Sequence, residues 1–488
     1  MLVASVASSR HAEGAEGHMK LLIVGGGGFR VPQVIEVLAA ARAGSGPYPG
    51  LVVDEVCLYD VDRPRLEAMT AVLSCLAYPS SPRIVATTDL REAVTGADFV
   101  FSAMRQGGTC GRVTDELVAL EEGVLGQETV GVGGYAYALR TVPVAMELAR
   151  TLRDLAPEAW VISFTNPAGI ITQVMRQVLG GCVVGICDTP IGLVRRATAA
   201  VGGDATRVSQ VGEKTGVSFD YVGLNHLGWL RSLEVGGTDR LPGLLADDAA
   251  LDHMEEARTI GADWVRALGM LPNEYLFYYY LGRESLARIR SEAETRGQFL
   301  HRQQSAFYEA VAAHPEQAGR LWTAAHDERE ATYMAEARDV SERAGRREED
   351  IAGGGYQQVA LDLMTAVATG APARMILDVG NADAHTRDGA GLLVPQLRED
   401  AVVEVPCVVD SEGVHPQRVA PLTGAELGLV TTVKGCEELV IEAALAGDQT
   451  LAWRALASHP LVDSVRVAKR VLDGYIQRNP QVAATFDR

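Results

Sequence analysis

The sequence predicts an α/β protein: an N-terminal, Rossmann-like, doubly wound parallel sheet followed by an α+β domain. Three observations carry that expectation. Residues 21–24 ("LLIV") form a short apolar run, closed by four glycines and followed by helical spacing through Val34, Ile35, Val37 and Leu38. Strand, glycine turn and helix are the first third of a dinucleotide-binding unit. From 20 to 204, short apolar runs alternate with helical stretches, as parallel strands joined by crossover helices require. Beyond 205, "RVSQVGEKTGVSFDYVGLNHLGWLRSLEV" alternates like paired strands and breaks that rhythm.

The elements follow in order. "LVVDEVCLYD" reads as the second strand, with Asp60 at its tip, where a carboxylate can grip a ribose hydroxyl. The Gly/Pro insert "AGSGPYPG" accounts for the long interval from Gly25 to Asp60. "RIVATTD", "ADFVFSA", "AWVISFTNP" and "CVVGICD" are further strands, each followed by helical sequence. A long helical stretch is expected over 250–345, strands at "APARMIL" (371–377) and "AVVEVPCVVD" (401–410), and closing helices from Thr423.

Composition narrows the function classes. The chain has 488 residues, 47% of them hydrophobic, with 63 acidic against 44 basic side chains and a net charge of −19. That field repels nucleic acid and anionic membranes, so neither is expected as a partner. Seven cysteines with no C-x-x-C pair fit a reducing cytoplasm better than a disulfide scaffold. Residues 1–19 read as a disordered tail without a basic leader region, with Met19 a possible alternative start.

The glycine turn is Gly25-Gly26-Gly27-Gly28-Phe29-Arg30. Gly25 and Gly27 fill the first two fingerprint positions, and Arg30 stands at the third. Only the glycine that eases helix packing is lost, so backbone approach to a pyrophosphate survives. Asp60 favours NAD over NADP, because a carboxylate repels a 2′-phosphate.

Other motifs are more specific together than singly. "TTDLREAVTGADFVFSA" resembles the lactate/malate dehydrogenase superfamily. After it come "MRQGGTCGRVTDE", "GVLGQETVGVGGYAYALRTVPV", "FTNPAGIIT", "GICDTP", "GLNHLGW" and "NEYLFYYY", in order. This set resembles the family 4 glycosidases, the NAD- and metal-dependent branch that includes 6-phospho-glucosidases, over about 20–470. These enzymes are an exception to two-carboxylate glycoside hydrolysis. The resemblance implies oxidation of the sugar at C3 by NAD⁺, proton removal at C2, elimination of the C1 oxygen, addition of water and return of the hydride. It also implies a divalent cation, with Mn²⁺ first in line, on the C2 and C3 oxygens. On this reading 20–204 binds NAD, 205–488 serves substrate, metal and oligomerisation, and the assembly is a homodimer or homotetramer.

Carried over residue by residue, the resemblance makes Cys187 and His226 the metal ligands. Taken alone, one Cys and one His have no metal-specific spacing, and a buried thiol with a satisfied core histidine is the better explanation of them. Tyr275 is implied as the C2 base, with Tyr279 as runner-up. Tyr275, Tyr278 and Tyr279 would share one helix face, where an aromatic core stripe is the plainer explanation. Arg105, Glu128 and Asn166 are implied to face sugar, with Asn166 also facing cofactor, and Arg296 to lie near the substrate phosphate. Loop caps and surface salt bridges are the plain alternative for these four.

Two signals conflict over linkage. Asp188 beside Cys187 matches the α-linked branch, where it protonates the leaving oxygen. The "VLGQET", "GGYAYALRT" and "NEYLFYYYLG" segments resemble the 6-phospho-β-glucosidases, which are favoured. The chain also departs from the phospho-sugar pattern: Gly28 and Val31 replace Ser and Thr, Ala352 stands where Arg is frequent, and Arg30 is new. Lost donors weaken phosphate binding unless Arg30 replaces them or the sugar bears another C6 group. The alternative from another class is a 2-hydroxy-acid dehydrogenase on the same fold.

Overall fold

A computed structural model describes residues 18–212, 216–331, 355–383 and 391–487. Ala352, most of the 1–19 tail and the helical expectation beyond 331 lie outside the described residues.

Thirteen strands form one sheet. Its parallel half comprises β1 (Lys20–Val24), β2 (Glu55–Tyr59), β3 (Arg83–Thr87), β4 (Phe99–Ser102), β5 (Trp160–Ser163) and β6 (Val183–Ile186), in the order β3-β2-β1-β4-β5-β6. The strand order reverses beside β1, which opens the ligand crevice of doubly wound sheets at the strands' carboxyl ends. The apolar run of β1 reflects burial on both faces: Leu21 and Ile23 enter one core, Leu22 and Val24 the other. The first core packs helices Val31–Arg42 and Arg63–Leu76 against the sheet, the second Val132–Leu155, Ala168–Leu179 and part of Gly424–Ala446. Each fully buried aliphatic side chain contributes roughly 1.5–3 kcal/mol.

The second half of the chain extends this same sheet. The strands β7 (Val217–Leu224), β8 (Leu227–Val235), β9 (Thr238–Asp239), β10 (Leu271–Pro272), β11 (Ala373–Gly380), β12 (Val402–Asp410) and β13 (Gly413–Pro416) are antiparallel to their partners. Past β6 the sheet runs on as β11-β12-β7-β8-β10. The strands expected at 371–377 and 401–410, and the paired strands after 205, are therefore present.

The expected helical stretch from 250 is real but broken into pieces. Gly261 and Gly269, at φ +108° and +69°, flank the short helix Ala262–Leu268. Longer helices follow at Gly282–Ser291, Arg296–Ala313 and Ala318–Ala331. Thr295 and Gln298 cap Arg296–Ala313 reciprocally, satisfying its orphan N–H groups. "NEYLFYYY" differs from expectation: its helix is Leu276–Tyr280, and Tyr275 stands just before it as the N-cap. Among the described residues, no helix is long and apolar enough to cross a membrane.

Candidate active site

A cavity of about 1310 Å³ opens over the carboxyl ends of the parallel strands. Its wall includes Gly25, Gly28, Asp60, Arg105, Glu128, Asn166, Cys187, Asp188, His226 and Tyr275. Gly27, Arg296 and Tyr279 are not among the lining residues.

The glycine turn is tight. Gly25 has φ +92° and its carbonyl accepts from Gly28 N–H at 2.8 Å. A Cβ on Gly26 would sit 2.7 Å from the Leu58 Cα, so alanine there would force the turn off β2. Gly27 faces away from the cavity: its N–H donates to Asp60 Oδ2 at 3.1 Å, and its carbonyl accepts from Tyr308 Oη at 2.6 Å. Arg65 donates to the same phenol at 3.1 Å. The helix Arg296–Ala313 therefore clamps the nucleotide turn from the second half of the chain. The Val31–Arg42 helix begins at the loop, its first N–H donating from Val31 to the Gly28 carbonyl at 3.2 Å.

Cys187 follows β6 directly and is buried on the wall. Burial pushes its thiol up, and the neighbouring carboxylates of Asp188 and Glu404 push the same way. His226 lies in the two-residue turn between β7 and β8, at φ +63°. Burial pushes its imidazole down to about 3, so the ring is neutral. The hydrogen bonds fix its tautomer. Gln127 Oε1 accepts the backbone N–H groups of Thr129 and Val130 and the Thr129 hydroxyl proton, the last at 2.9 Å. Thr129 Oγ1, 2.9 Å from His226 Nδ1, must then accept from an Nδ1–H. That leaves the lone pair on Nε2, the form a metal ligand needs. A buried thiol and an imidazole nitrogen on one cavity wall are a donor set suited to a divalent transition metal with positions left for substrate.

Tyr275 stacks on His226, ring centroids 3.7 Å apart and planes 9° from parallel. Its backbone N–H donates to Asn273 Oδ1 at 3.0 Å, and Asn273 Nδ2 donates to Thr189 Oγ1 at 2.8 Å. Thr189 Oγ1 lies 3.3 Å from Cys187 Sγ. One chain of contacts thus ties the tyrosine to both sulfur and imidazole. Tyr279 instead packs near His459 at 6.0 Å, and Tyr278 is core.

Glu128 Oε2 lies 2.8 Å from both Arg105 Nη2 and Arg112 Nη1. Burial opposes its charge, but Arg112 and Arg105 outweigh that and hold its carboxyl well below the usual range. Asn166 follows β5 on the wall. Arg296 sits at the first turn of its helix over the Phe299 ring and donates to the Arg329 carbonyl at 3.2 Å. The structure places Arg30 and Arg329 on the wall instead, Arg30 over Phe164 and Arg329 over Phe29, both at 5.7 Å.

The fold and the site together define an enzyme class. Residues 20–202 match the family 4 glycosyl hydrolase model, and 221–462 match the family 4 glycosyl hydrolase C-terminal domain. The chain belongs to the family 4 glycosyl hydrolases, which decides against a 2-hydroxy-acid dehydrogenase. It is 27% identical over 467 residues to the 6-phospho-beta-glucosidase of Escherichia coli K12, covering 92% of this chain and 93% of that one. It is also 27% identical over 476 residues to the 6-phospho-alpha-glucosidase of Leptotrichia buccalis, covering 94% and 97%. Among solved structures, the 6-phospho-beta glucosidase of Thermotoga maritima with NAD and glucose-6-phosphate matches at TM-score 0.75 and 26% identity, covering 96% and 99%. The form of that enzyme with manganese, NAD⁺ and glucose-6-phosphate matches at 0.74 and 25%, covering 95% and 99%.

Proposed function

We propose that this chain hydrolyses 6-phospho-glucosides, using NAD⁺ and a divalent cation, Mn²⁺ foremost. The observation that carries the reading is the single cavity shared by the glycine turn, Cys187, His226 and Tyr275. Relatives of this length crystallised with NAD, manganese and glucose-6-phosphate support it. When bound, NAD⁺ supplies a hydride acceptor and donor, and the cation supplies positive charge beside the sugar oxygens.

The chain's own residues do the rest. Gly25, Gly28 and Asp60 seat the nucleotide, with Asn166 beside it, while Gly27, expected among them, instead ties the turn to Asp60 and Tyr308. Cys187 and His226 Nε2 hold the cation. Tyr275 takes the proton from sugar C2, and Asp188 delivers one to the leaving oxygen. Arg105, Glu128 and Asn166 orient the sugar, the Arg105–Glu128–Arg112 cluster being pre-organised by its ion pairs. Arg30 lines the cavity and Arg296 does not, so we assign the 6-phosphate to Arg30.

The β-linked substrate is favoured by the segments around Gln127, Tyr137 and Tyr275. A second reading, the α-linked substrate, is favoured by Asp188 on the wall next to Cys187. Relatives of both kinds stand at the same identity. All seven cysteines are free, which supports a cytoplasmic setting. A homodimer or homotetramer remains the proposed assembly, to be read by light scattering.

The test is a panel of nitrophenyl glycosides, α and β, with and without 6-phosphate. Turnover is expected only for a 6-phosphorylated member, only with both NAD⁺ and Mn²⁺, and with no net NADH. Full activity in a chelated, nucleotide-free preparation sinks the mechanism, and the preferred anomer settles the linkage.

A further inference from the structure

The strands that carry Cys187 and His226 are not neighbours: β6 and β7 are separated by β11 and β12. At one level the register crosses all four. Gly185 pairs with Asp378, Asp378 with Glu404, and Glu404 with Gly223. Gly185 is two residues before Cys187, and Gly223 is three before His226. The two interposed residues are carboxylic acids, each 1% exposed. Gly185 leaves Asp378 room, since a Cβ there would lie 2.7 Å from Asp378 Cβ; Gly223 instead lets the β7–β8 hairpin close, since a Cβ there would lie 2.1 Å from the Leu227 carbonyl oxygen.

Glu404 is tied to the histidine turn. It accepts from Tyr221 Oη at 2.8 Å and from Asn225 Nδ2 at 3.4 Å. Asn225 immediately precedes His226, whose φ of +63° is one that non-glycine residues avoid. Such a conformation persists only where the surroundings over-determine it. Here the ring is held by Thr129 and Tyr275, and the side chain of the preceding residue, Asn225, by Glu404. A buried carboxyl in an apolar strand is destabilising unless its hydrogen bonds serve something else.

We propose that Glu404 is a positioning residue for the cation site. It locks the Asn225–His226 turn, and the Gly185–Asp378–Glu404–Gly223 row sets how far apart the two ligands stand. The inference rests on the reading that Cys187 and His226 hold the cation.

The test is Mn²⁺ binding to the full-length protein, read as loss of the free-ion EPR signal, with NAD⁺ affinity measured alongside. Wild-type binding that Cys187→Ser abolishes supports the underlying reading; no binding by wild type refutes that reading by itself. Glu404→Met keeps the side chain's bulk and removes the acceptor. It should weaken Mn²⁺ binding about 10–100-fold, the usual effect of losing a partner behind a metal ligand. NAD⁺ affinity should stay within about twofold, while the thermal midpoint should fall, because Tyr221 Oη and Asn225 Nδ2 lose their acceptor. Glu404→Gln, which retains an acceptor, should hold Mn²⁺ far more tightly than Glu404→Met. A merely structural role would move stability alone and leave Mn²⁺ affinity equal across wild type, Glu404→Gln and Glu404→Met. Asn225→Ala cuts the same link from the cavity side and should show the same loss, so the inference stays testable if Glu404→Met does not fold. Mn²⁺ affinity equal to wild type in a folded Glu404→Met, or in Asn225→Ala, overturns it.

Discussion

Tyr275→Phe is the sharpest perturbation of the proposed chemistry, because the structure separates the hydroxyl from everything else the residue does. Its ring lies 3.7 Å from the His226 ring at 9°, and its backbone N–H is held by Asn273. Phenylalanine keeps the stack and the backbone bond, so cation affinity should change less than about threefold. The hydroxyl belongs to a half-buried side chain, and losing one hydrogen-bonding group there costs about 1 kcal/mol or less in stability. A positioned general base is worth about 10²–10⁴ in rate, or roughly 3–5 kcal/mol of barrier. The expected result is therefore a kcat lowered by that factor with thermal midpoint and Mn²⁺ binding nearly intact. Tyr279→Phe is the matched control: its ring packs near His459, away from the cavity wall, and kcat should stay within about twofold. The assay is steady-state turnover of the best nitrophenyl 6-phospho-glucoside, run also in D₂O. Elimination through C2 places solvent deuterium at that carbon, whereas displacement at C1 never touches it. Full activity in Tyr275→Phe with C2 exchange preserved would refute the assignment of the base and leave the route standing. Absence of exchange during slow turnover would refute the route.

Three further outcomes follow from particular contacts. Thr129→Val removes the acceptor that sets the His226 tautomer, and Mn²⁺ affinity should fall about 10–100-fold by EPR, with NAD⁺ binding unchanged. Arg30→Ala should raise KM for a 6-phosphorylated glycoside about tenfold or more and leave unphosphorylated sugars unaffected, since a charge-assisted bond is worth about 1.5–3 kcal/mol. Burial pushes Asp378 up from 3.8 to about 7, against the pull of Lys434. A carboxyl raised in the folded state contributes stability below about pH 4 and loses it as pH climbs through about 7. Urea midpoints at pH 5 and pH 8 should therefore show Asp378→Asn gaining on wild type at pH 8; parallel shifts would show that Asp378 is charged throughout.

The parallel half of the sheet was legible because its signal is local. An all-apolar tetrad before four glycines needs only its neighbours to be read as a strand buried on both faces, and β1 divides its side chains between two cores as that implies. The continuation of the sheet was not legible. Antiparallel pairing of Leu377 with Ile186 joins distant segments, and either strand alone would look the same in a separate domain. The site divides along the same line. Cys187, His226 and Tyr275 stand out only by resemblance, since a cysteine, a histidine and a tyrosine scattered over three loops have no spacing to recognise. Arg296 and Tyr308 share one helix, yet only Tyr308 reaches the glycine turn. The rotation of that helix against the first half decides this, and sequence does not encode it visibly.

Glu404 is the instructive omission, because its signal lay in plain view. It is the one charge between Val402 and Val409 in "VVEVPCVVD", a strand whose other members read as core. Isolating a carboxyl from water without partners costs several kcal/mol, so a chain keeps it only where long-range hydrogen bonds repay part of that cost. Asp378 in "ARMILDVG" meets the cost differently: its two oxygens have no hydrogen-bond partner among the described residues, and burial pushes its carboxyl up toward the neutral form. Each of these two acids occupies a position that a strand core would otherwise fill with valine. What the sequence withholds is the register that sets them side by side, and that register is what joins Gly185 to Gly223. A buried charge needs partners, and those of Glu404 lead from β12 to Asn225 and so to the histidine beside it.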